Sequence, residues 1–475
     1  MNDEVRLSGK HRPRESVWAA VRQLRDRFAH WAGPISLPSA SAPGRQARWT
    51  LAAVAALGFI FLLLPRPTGL VAEHLHKEDG MIFLSDFLQD GFGGLFAIYS
   101  GYLHLGPRLI VGACAVVSPA VALTGCLAAS TAGIRVLATV LAFWVFLPYT
   151  QSWRWALTAA ASAFLFLPNG QQEILGNVTN LRWILVAATA LALLGVFQPP
   201  TQLVLATTFV VVGALSDPLA LVLAPLALGR LLTSRGRSLV VPVAYSLAAL
   251  MQLLMMRSGD RAVRGDHSVL ANLPDAAIQL LVRGVSVTQY GLAGTEVLMM
   301  LGGVWVAIGA AAIPIMTVVL ALRLDRANRP LVCFLLLWCS AGLGLLAVTF
   351  LFADMKPLAL TDWWSPAAAS RYSALAGFFL TPALVLACAS LLRKEVGART
   401  PRWIALLTIA TLALAVAADF RGDPWNTRGP KWAETVRDAR AQCQTSPEDQ
   451  VVPITPQGVP MQWTATVTCK WLSAG

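Results

Sequence analysis

The run RWTLAAVAALGFIFLLLP, residues 48–65, holds one cation at its edge and no acid. A helix that crosses a bilayer needs about 20 mostly apolar residues, so this run reads as a transmembrane span. The rest of the chain repeats the pattern. Of its 475 residues, 56% are apolar and 13% charged, and the mean hydropathy is +0.61. A soluble chain of this length would need far more charge to cover its surface, so the composition predicts an all-α polytopic membrane protein. Further spans are expected at 119–147, 153–168, 181–198, 201–215, 218–232, 239–256, 294–322, 331–352, 371–392 and 402–418, about eleven in all. No internal or inverted repeat is visible among them, which speaks against a secondary transporter.

Charge orders the loops. The formal net charge is +12, but the cations sit in short clusters between apolar runs. That is a positive-inside pattern, and it excludes nucleic acid as the partner. GRLLTSRGR (229–237), RLDRANR (323–329) and LLRKEVGARTPR (391–402) are assigned to the cytosol on this rule. The loops 169–180, 257–293 and 353–370, the break at Ser216-Asp217-Pro218 and the tail then lie outside.

The chain divides into a basic cytosolic leader (1–47), a membrane domain (48–418) whose first external loop is 66–118, and an external segment (419–475). An interfacial helix is expected near 15–31 of the leader. The first apolar run starts too late for a cleaved signal peptide. PRLIVGACAVVS (107–118) is apolar, yet a crossing there would break the parity of the basic loops, so it reads as a juxtamembrane or re-entrant helix. Arg135 falls inside a span and must meet a polar partner. Cys114, Cys126, Cys333, Cys339 and Cys388 lie in apolar runs and read as packing residues. Cys443 and Cys469 lie in the polar tail, where an external location favours a disulfide.

Polar groups gather on the external side. VAEHLHKEDGMIFLSDFLQDGFGGLFAIYSGYLHLGPRLI (71–110) holds most of the acids near the first span. A helix over 79–90 would bring Asp79, Asp86 and Asp90 to one face and lie on the membrane surface. Glu78 and Asp79 are adjacent acids at a membrane boundary, where they repel unless a cation, proton or hydroxyl uses them. Tyr99, Tyr102, His104 and Arg108 follow, and an arginine at the lipid boundary suits a phosphate. PNGQQEILGNVTNLRW (168–183) brings Glu173, Asn177 and Asn180, then Arg182 and Trp183. Its plainer reading is a helix-to-helix turn with Asn180 as N-cap. Asp217 would cap the next helix, with Pro218 at its first position. DWWSPAAASRYSAL (362–375) adds Asp362, an aromatic belt of Trp363 and Trp364, and the pair Arg371 and Tyr372.

These stretches, KEDGMIF, YSGYLHLGPRL, EILGNVTNLRW, LSDPLAL and SRYSAL, resemble glycosyltransferases of the GT-C fold class and a related group of bacterial membrane proteins. The resemblance implies transfer of a sugar from a polyprenyl-phosphate donor to an extracytoplasmic cell-envelope glycan or glycolipid acceptor, in the bacterial plasma membrane. It implies a first-loop carboxylate as general base, with Asp79 preferred over Glu78 because Gly80 would free its surroundings. Arg108 and Arg371 would hold the leaving phosphate, and Glu173 or Asp217 the sugar hydroxyls. Tyr102, His104, Asn177, Asn180 and Tyr372 complete the candidate binding set. A divalent cation is a candidate cofactor, with His74 and His76 as candidate ligands, although the adjacent acids lack the spaced pair of nucleotide-sugar enzymes. The competing reading is a transporter or flippase for a lipid-linked glycan or another anionic amphiphile. It would call for charges deep in several spans.

Overall fold

A computed structural model describes residues 43–150, 152–258, 273–325, 328–352, 370–393, 399–422, 427, 429–457 and 463–474, with isolated positions 19 and 23. The interfacial helix expected at 15–31 falls almost wholly outside these residues, and so do Asp362, Trp363 and Trp364. The described chain is almost entirely helical. Seven helices are long and apolar enough to cross a membrane: Arg45–Leu63, Ala120–Thr150, Gly236–Arg257, Leu273–Leu324, Arg329–Leu351, Arg371–Leu391 and Arg399–Ala418. The pair Pro200–Ala214 and Pro218–Thr233, bent by 119°, makes an eighth if counted as one span. This is an all-α polytopic membrane protein. Among the described residues the sheets are two short hairpins, Ile98–Tyr99 with Tyr102–Leu103 and Val451–Gln457 with Trp463–Thr468.

Helix Arg371–Leu391 is the axis of the bundle and is buried along nearly its whole length. Ala374, Ala376, Gly377, Ala383 and Ala387 keep its surface shallow, so neighbours approach closely. A Cβ on Gly377 would stand 2.7 Å from Asn169 Oδ1. Around the axis, Trp338 stacks on Phe379 at 4.4 Å between centroids, and its indole N–H donates to the Phe379 carbonyl at 2.7 Å.

The two ends of the bundle differ. At one end the basic loops are tied down. Arg230 donates to Gly195 O at 3.0 Å, and Ser390 donates to Asp325, which also faces Arg393 at 3.5 Å. At the other end an irregular segment, 165–180, sits between two short helices, Trp153–Phe164 and Leu181–Leu194. Helices of 12 and 14 residues rise only about 18 and 21 Å, against a hydrocarbon core of about 30 Å. The segment is recessed within the bundle, where Asn169, Gln171, Asn177 and Asn180 are all buried. Irregular backbone at that depth must have its polar groups satisfied by protein.

Arg135 is part of that satisfaction. It lies midway along the helix Leu123–Thr150 and donates to Phe164 O at 2.6 Å and Gly170 O at 3.0 Å. It caps the short helix and the segment after it, which is the polar partner a span-buried arginine requires. Gln171 does the same for Leu165 O and Leu167 O, and accepts from Arg66 at 2.7 Å. Replacing Arg135 by leucine strands two buried carbonyls and should cost about 3 kcal/mol or more. Thermal unfolding in detergent should show a lowered midpoint, with Arg135→Lys recovering part of it.

A second hydrophobic core lies at the recessed end. The loop 66–118 supplies Leu75, Phe83 and Leu84, the helix Leu105–Val117 supplies Val111, and the tail supplies Trp432, Val436, Val452 and Val467. The tail is a helix (Trp432–Cys443), the second hairpin and a short helix (Cys469–Ser473). It is too small to bury a core alone and borrows one from the loop. Trp432 and Trp471 donate to Ala120 O and Ala115 O at 2.7 and 3.0 Å, and Thr466 N–H donates to Ser85 Oγ at 2.9 Å.

Two disulfides sit in this core. One joins Cys443 and Cys469. The other joins Cys114 and Cys126, which corrects their reading as packing residues. The apolar surroundings hid the pairing, because the helix Leu105–Val117 folds back onto the start of the next one. Cys333, Cys339 and Cys388 are free. Alkylation in denaturant should therefore add three labels before reduction and seven after it, counted by intact mass.

Candidate functional site

The loop 66–118 does not form one amphipathic helix over 79–90. Residues Asp79–Leu84 take a π-helical turn, followed by the α-helix Ser85–Asp90. The wider turn shifts the phase, so the three aspartates part company. Asp79 turns inward, Asp86 pairs with Arg108 at 2.8 Å, and Asp90 is exposed. Gly80 does not free Asp79. A Cβ there would meet Leu75 Cδ2 at 2.7 Å, so this glycine serves close packing.

Asp79 is 1% exposed, and its oxygens are occupied. Oδ2 accepts from Val178 N–H at 2.9 Å, and Oδ1 accepts from Thr179 N–H at 2.8 Å and from the Thr179 hydroxyl. Burial pushes its carboxyl above the ordinary range, against the pull of His76 and these donors. An acceptor hydroxyl has no access to it. Asp79 thus holds the recessed segment, with both oxygens engaged by Val178 and Thr179.

Glu78 faces the other way. Its side chain keeps 25% of its surface exposed and meets His76 Nε2 at 3.2 Å. Burial alone would raise the Glu78 carboxyl, yet the hydrogen bond and charge of His76, helped by Arg371, bring it down to about 2. Burial likewise disfavours a charged His76, but Glu78, with Asp79 and Glu173 beyond it, raises that imidazole above its ordinary value. Each thus favours the charged form of the other.

The recessed segment presents Glu173 opposite this pair. Glu173 accepts from the Arg371 backbone N–H at 3.1 Å and from its guanidinium. Asn177 and Asn180 hold the turn behind it. Both amides reach Glu173 O, and Asn177 Oδ1 accepts from Asn180 N–H at 2.9 Å. Asn180 thus occupies the N-cap position without capping through its side chain.

Arg182, two residues further, donates to the Tyr102 hydroxyl and lies 3.5 Å from Asp217. Asp217 also caps the Pro218–Leu223 turn through Leu219 N–H at 2.8 Å and is almost fully buried, so it anchors Arg182 from behind. Trp183 meets Tyr372 edge-on at 5.9 Å. That contact sets the N-termini of Leu181–Leu194 and Arg371–Leu391 side by side, each bearing an arginine in its first turn. Two positive dipole ends and two guanidiniums make this an anion-favouring spot. Arg283, buried on the π-helical turn Leu280–Ser286, is close enough to interact with Glu173 and Tyr372.

Glu78, Tyr102, Glu173, Asn177, Asn180, Asp217, Arg371 and Tyr372 therefore converge, together with His76. Besides Asp79, two candidates do not join them. Arg108 is buried against Asp86 and Gly94 O, at 2.8 and 2.7 Å, and is not open to a phosphate. His104 is 1% exposed and stacked behind Tyr102 at 4.2 Å. Burial, with Arg182 and Arg108 nearby, pushes it well below its ordinary value and keeps it neutral. Arg182 and Arg283 are functional candidates that sequence reasoning did not assign. The signal for Arg182 was present, since a cation in the first turn of a helix opposes the dipole unless an anion offsets it.

Among the described residues, no three His, Cys, Asp or Glu side chains converge as metal ligands. His74 is bonded to the Pro430 backbone and His76 to Glu78, so the two do not face one centre. Comparison with protein-family models, with curated proteins and with solved structures finds no match to this chain.

Proposed function

We propose that the chain is a GT-C-like membrane glycosyltransferase with about eleven crossings. It transfers a sugar from a polyprenyl-phosphate donor to an extracytoplasmic glycan or glycolipid in the bacterial plasma membrane. The observation that carries this reading is the partly exposed Glu78 carboxylate, close enough to interact with Arg182 and Arg371. In the proposed reaction the acceptor hydroxyl donates to Glu78 and loses its proton to it as the new bond to the anomeric carbon forms. The bond from that carbon to the phosphate oxygen breaks, and the phosphate leaves with the electron pair. Arg182 and Arg371 offset its charge. Glu173 orients Arg371, and Asp217 orients Arg182. Tyr102 offers a ring and a hydroxyl to the sugar.

Two further points support the orientation. Both disulfides lie at the end that carries this site, as an oxidising compartment would require. The basic loops lie at the opposite end, as the cytosol would require.

The test is transfer by purified protein in detergent or nanodiscs, offered a panel of polyprenyl-phosphate sugars with lipid and glycan acceptors. Transfer that depends on Glu78 supports the reading. Wild-type translocation of a lipid-linked glycan without any transfer would replace it with the flippase reading.

A further inference from the structure

Between the last span and the tail lies a carboxylate outside this site. Asp419, one residue past the helix Arg399–Ala418, is 1% exposed. Its two oxygens accept from Leu292 N–H at 2.8 Å and Ala293 N–H at 2.9 Å. Those amides lie just after a break in the helix Val287–Ala310, where Gly291 has φ 73° and ψ 178°. Asp419 thus acts as an N-cap for a helix that restarts inside the bundle, satisfying donors that the break would otherwise orphan. The fit is close: a Cβ on Gly291 would stand 2.7 Å from Asp419 Oδ2. The carbonyl of the same residue accepts from Gln172 Nε2 at 3.2 Å. Gln172 precedes Glu173 in the recessed segment, and the broken helix follows directly on the turn that bears Arg283.

We propose that Asp419 is a positioning residue. Its side chain pins the break at Gly291 while its backbone pins Gln172, so one residue fixes the segment carrying Arg283 against the segment carrying Glu173. The functional meaning rests on the site proposed above; the latch itself can be read without any substrate.

The experiment is amide deuterium exchange on the full chain in nanodiscs. Asp419→Asn leaves one acceptor and sets an amide against the second N–H. Exchange at Leu292 and Ala293 should rise roughly tenfold or more. Exchange across 169–176 should rise with it, while the helix Leu181–Leu194 stays unchanged. Gly291→Ala, which pushes the carboxylate away from the opposite side, should give the same signature. Faster exchange at 292–293 with 169–176 unchanged would overturn the coupling. No change at either place would overturn the latch.

Wild-type protein supplies a third arm if the variants do not fold. Burial pushes the Asp419 carboxyl up to about 6, against Leu292, Ala293 and Arg421, with Glu296 of the broken helix adding to the rise. Arg66 stacks on the adjoining Phe420 ring at 3.9 Å. Above about pH 6 the carboxylate is ionised and accepts from both amides, so Leu292 and Ala293 should be as protected as the amides of the helix that follows them. Fast exchange at these two positions in the wild type would overturn the latch. Lost transfer in Glu78→Gln bears on the proposed site alone, so failure of the latch and failure of the function are separable.

Discussion

Glu78→Gln should lower sugar transfer by about 10²- to 10⁴-fold while the protein remains folded and monodisperse. Glutamine keeps the shape and can still accept from His76 but cannot take a proton. Glu78 is partly exposed and sits at the start of the π-helical turn, so the swap strands no buried donor. The pH profile provides a second readout. Glu78, held near 2, is ionised throughout the working range, so it sets no acid limb. His76 is raised by its neighbours. The ion pair's stabilisation is therefore present below about pH 6.5 and fades as pH rises through the raised His76 value. An alkaline limb that disappears in His76→Gln would tie the profile to this pair. Full activity in Glu78→Gln would remove Glu78 from the chemistry.

Asp79→Ala should act before chemistry is reached. It leaves the N–H groups of Val178 and Thr179 and the Thr179 hydroxyl without an acceptor in a buried site. At about 1–3 kcal/mol for each stranded group, the loss rivals the whole margin of a typical domain, about 5–15 kcal/mol. Little folded protein should be recovered. Asp79→Asn should lie between, because its amide oxygen serves one donor while its NH₂ opposes another. Thermal midpoint and size-exclusion profile should be measured before any transfer assay. A folded Asp79→Asn with a wild-type midpoint and no transfer would restore Asp79 as the base.

The contrast shows what sequence could and could not tell here. Adjacent acids beside a glycine drew attention to this stretch, because charge near a bilayer is costly. Which of the two stays partly exposed depends on a π-helical turn, and no 3.6-residue pattern announces one. Arg108 and Arg182 raised the same kind of ambiguity. Both lie in the first turn of apolar helices, and only packing decides that the first pairs with Asp86 and Gly94 O while the second pairs with Tyr102 and Asp217. The helices were legible from apolar runs, since lipid imposes the same demand on every span. The short helices Trp153–Phe164 and Leu181–Leu194 were read as full crossings, because the residues after each remain apolar even where the helix stops. Arg135 was the one sign of that depth: a guanidinium at mid-span needs carbonyls at mid-span.

The core shared by the loop and the tail has a consequence for biogenesis. Leu75 and Phe83 leave the ribosome early, but their partners Val452 and Val467 come hundreds of residues later. Such contacts, separated by hundreds of residues, form late. Until the last segment is made, every span can be inserted while the loop 66–118 lacks the tail's share of its core. A chain halted before residue 432 would be integrated with that core unfilled. The loop therefore depends on residues far along the chain for its packing, and removing residues 432–473 should lay its apolar side bare.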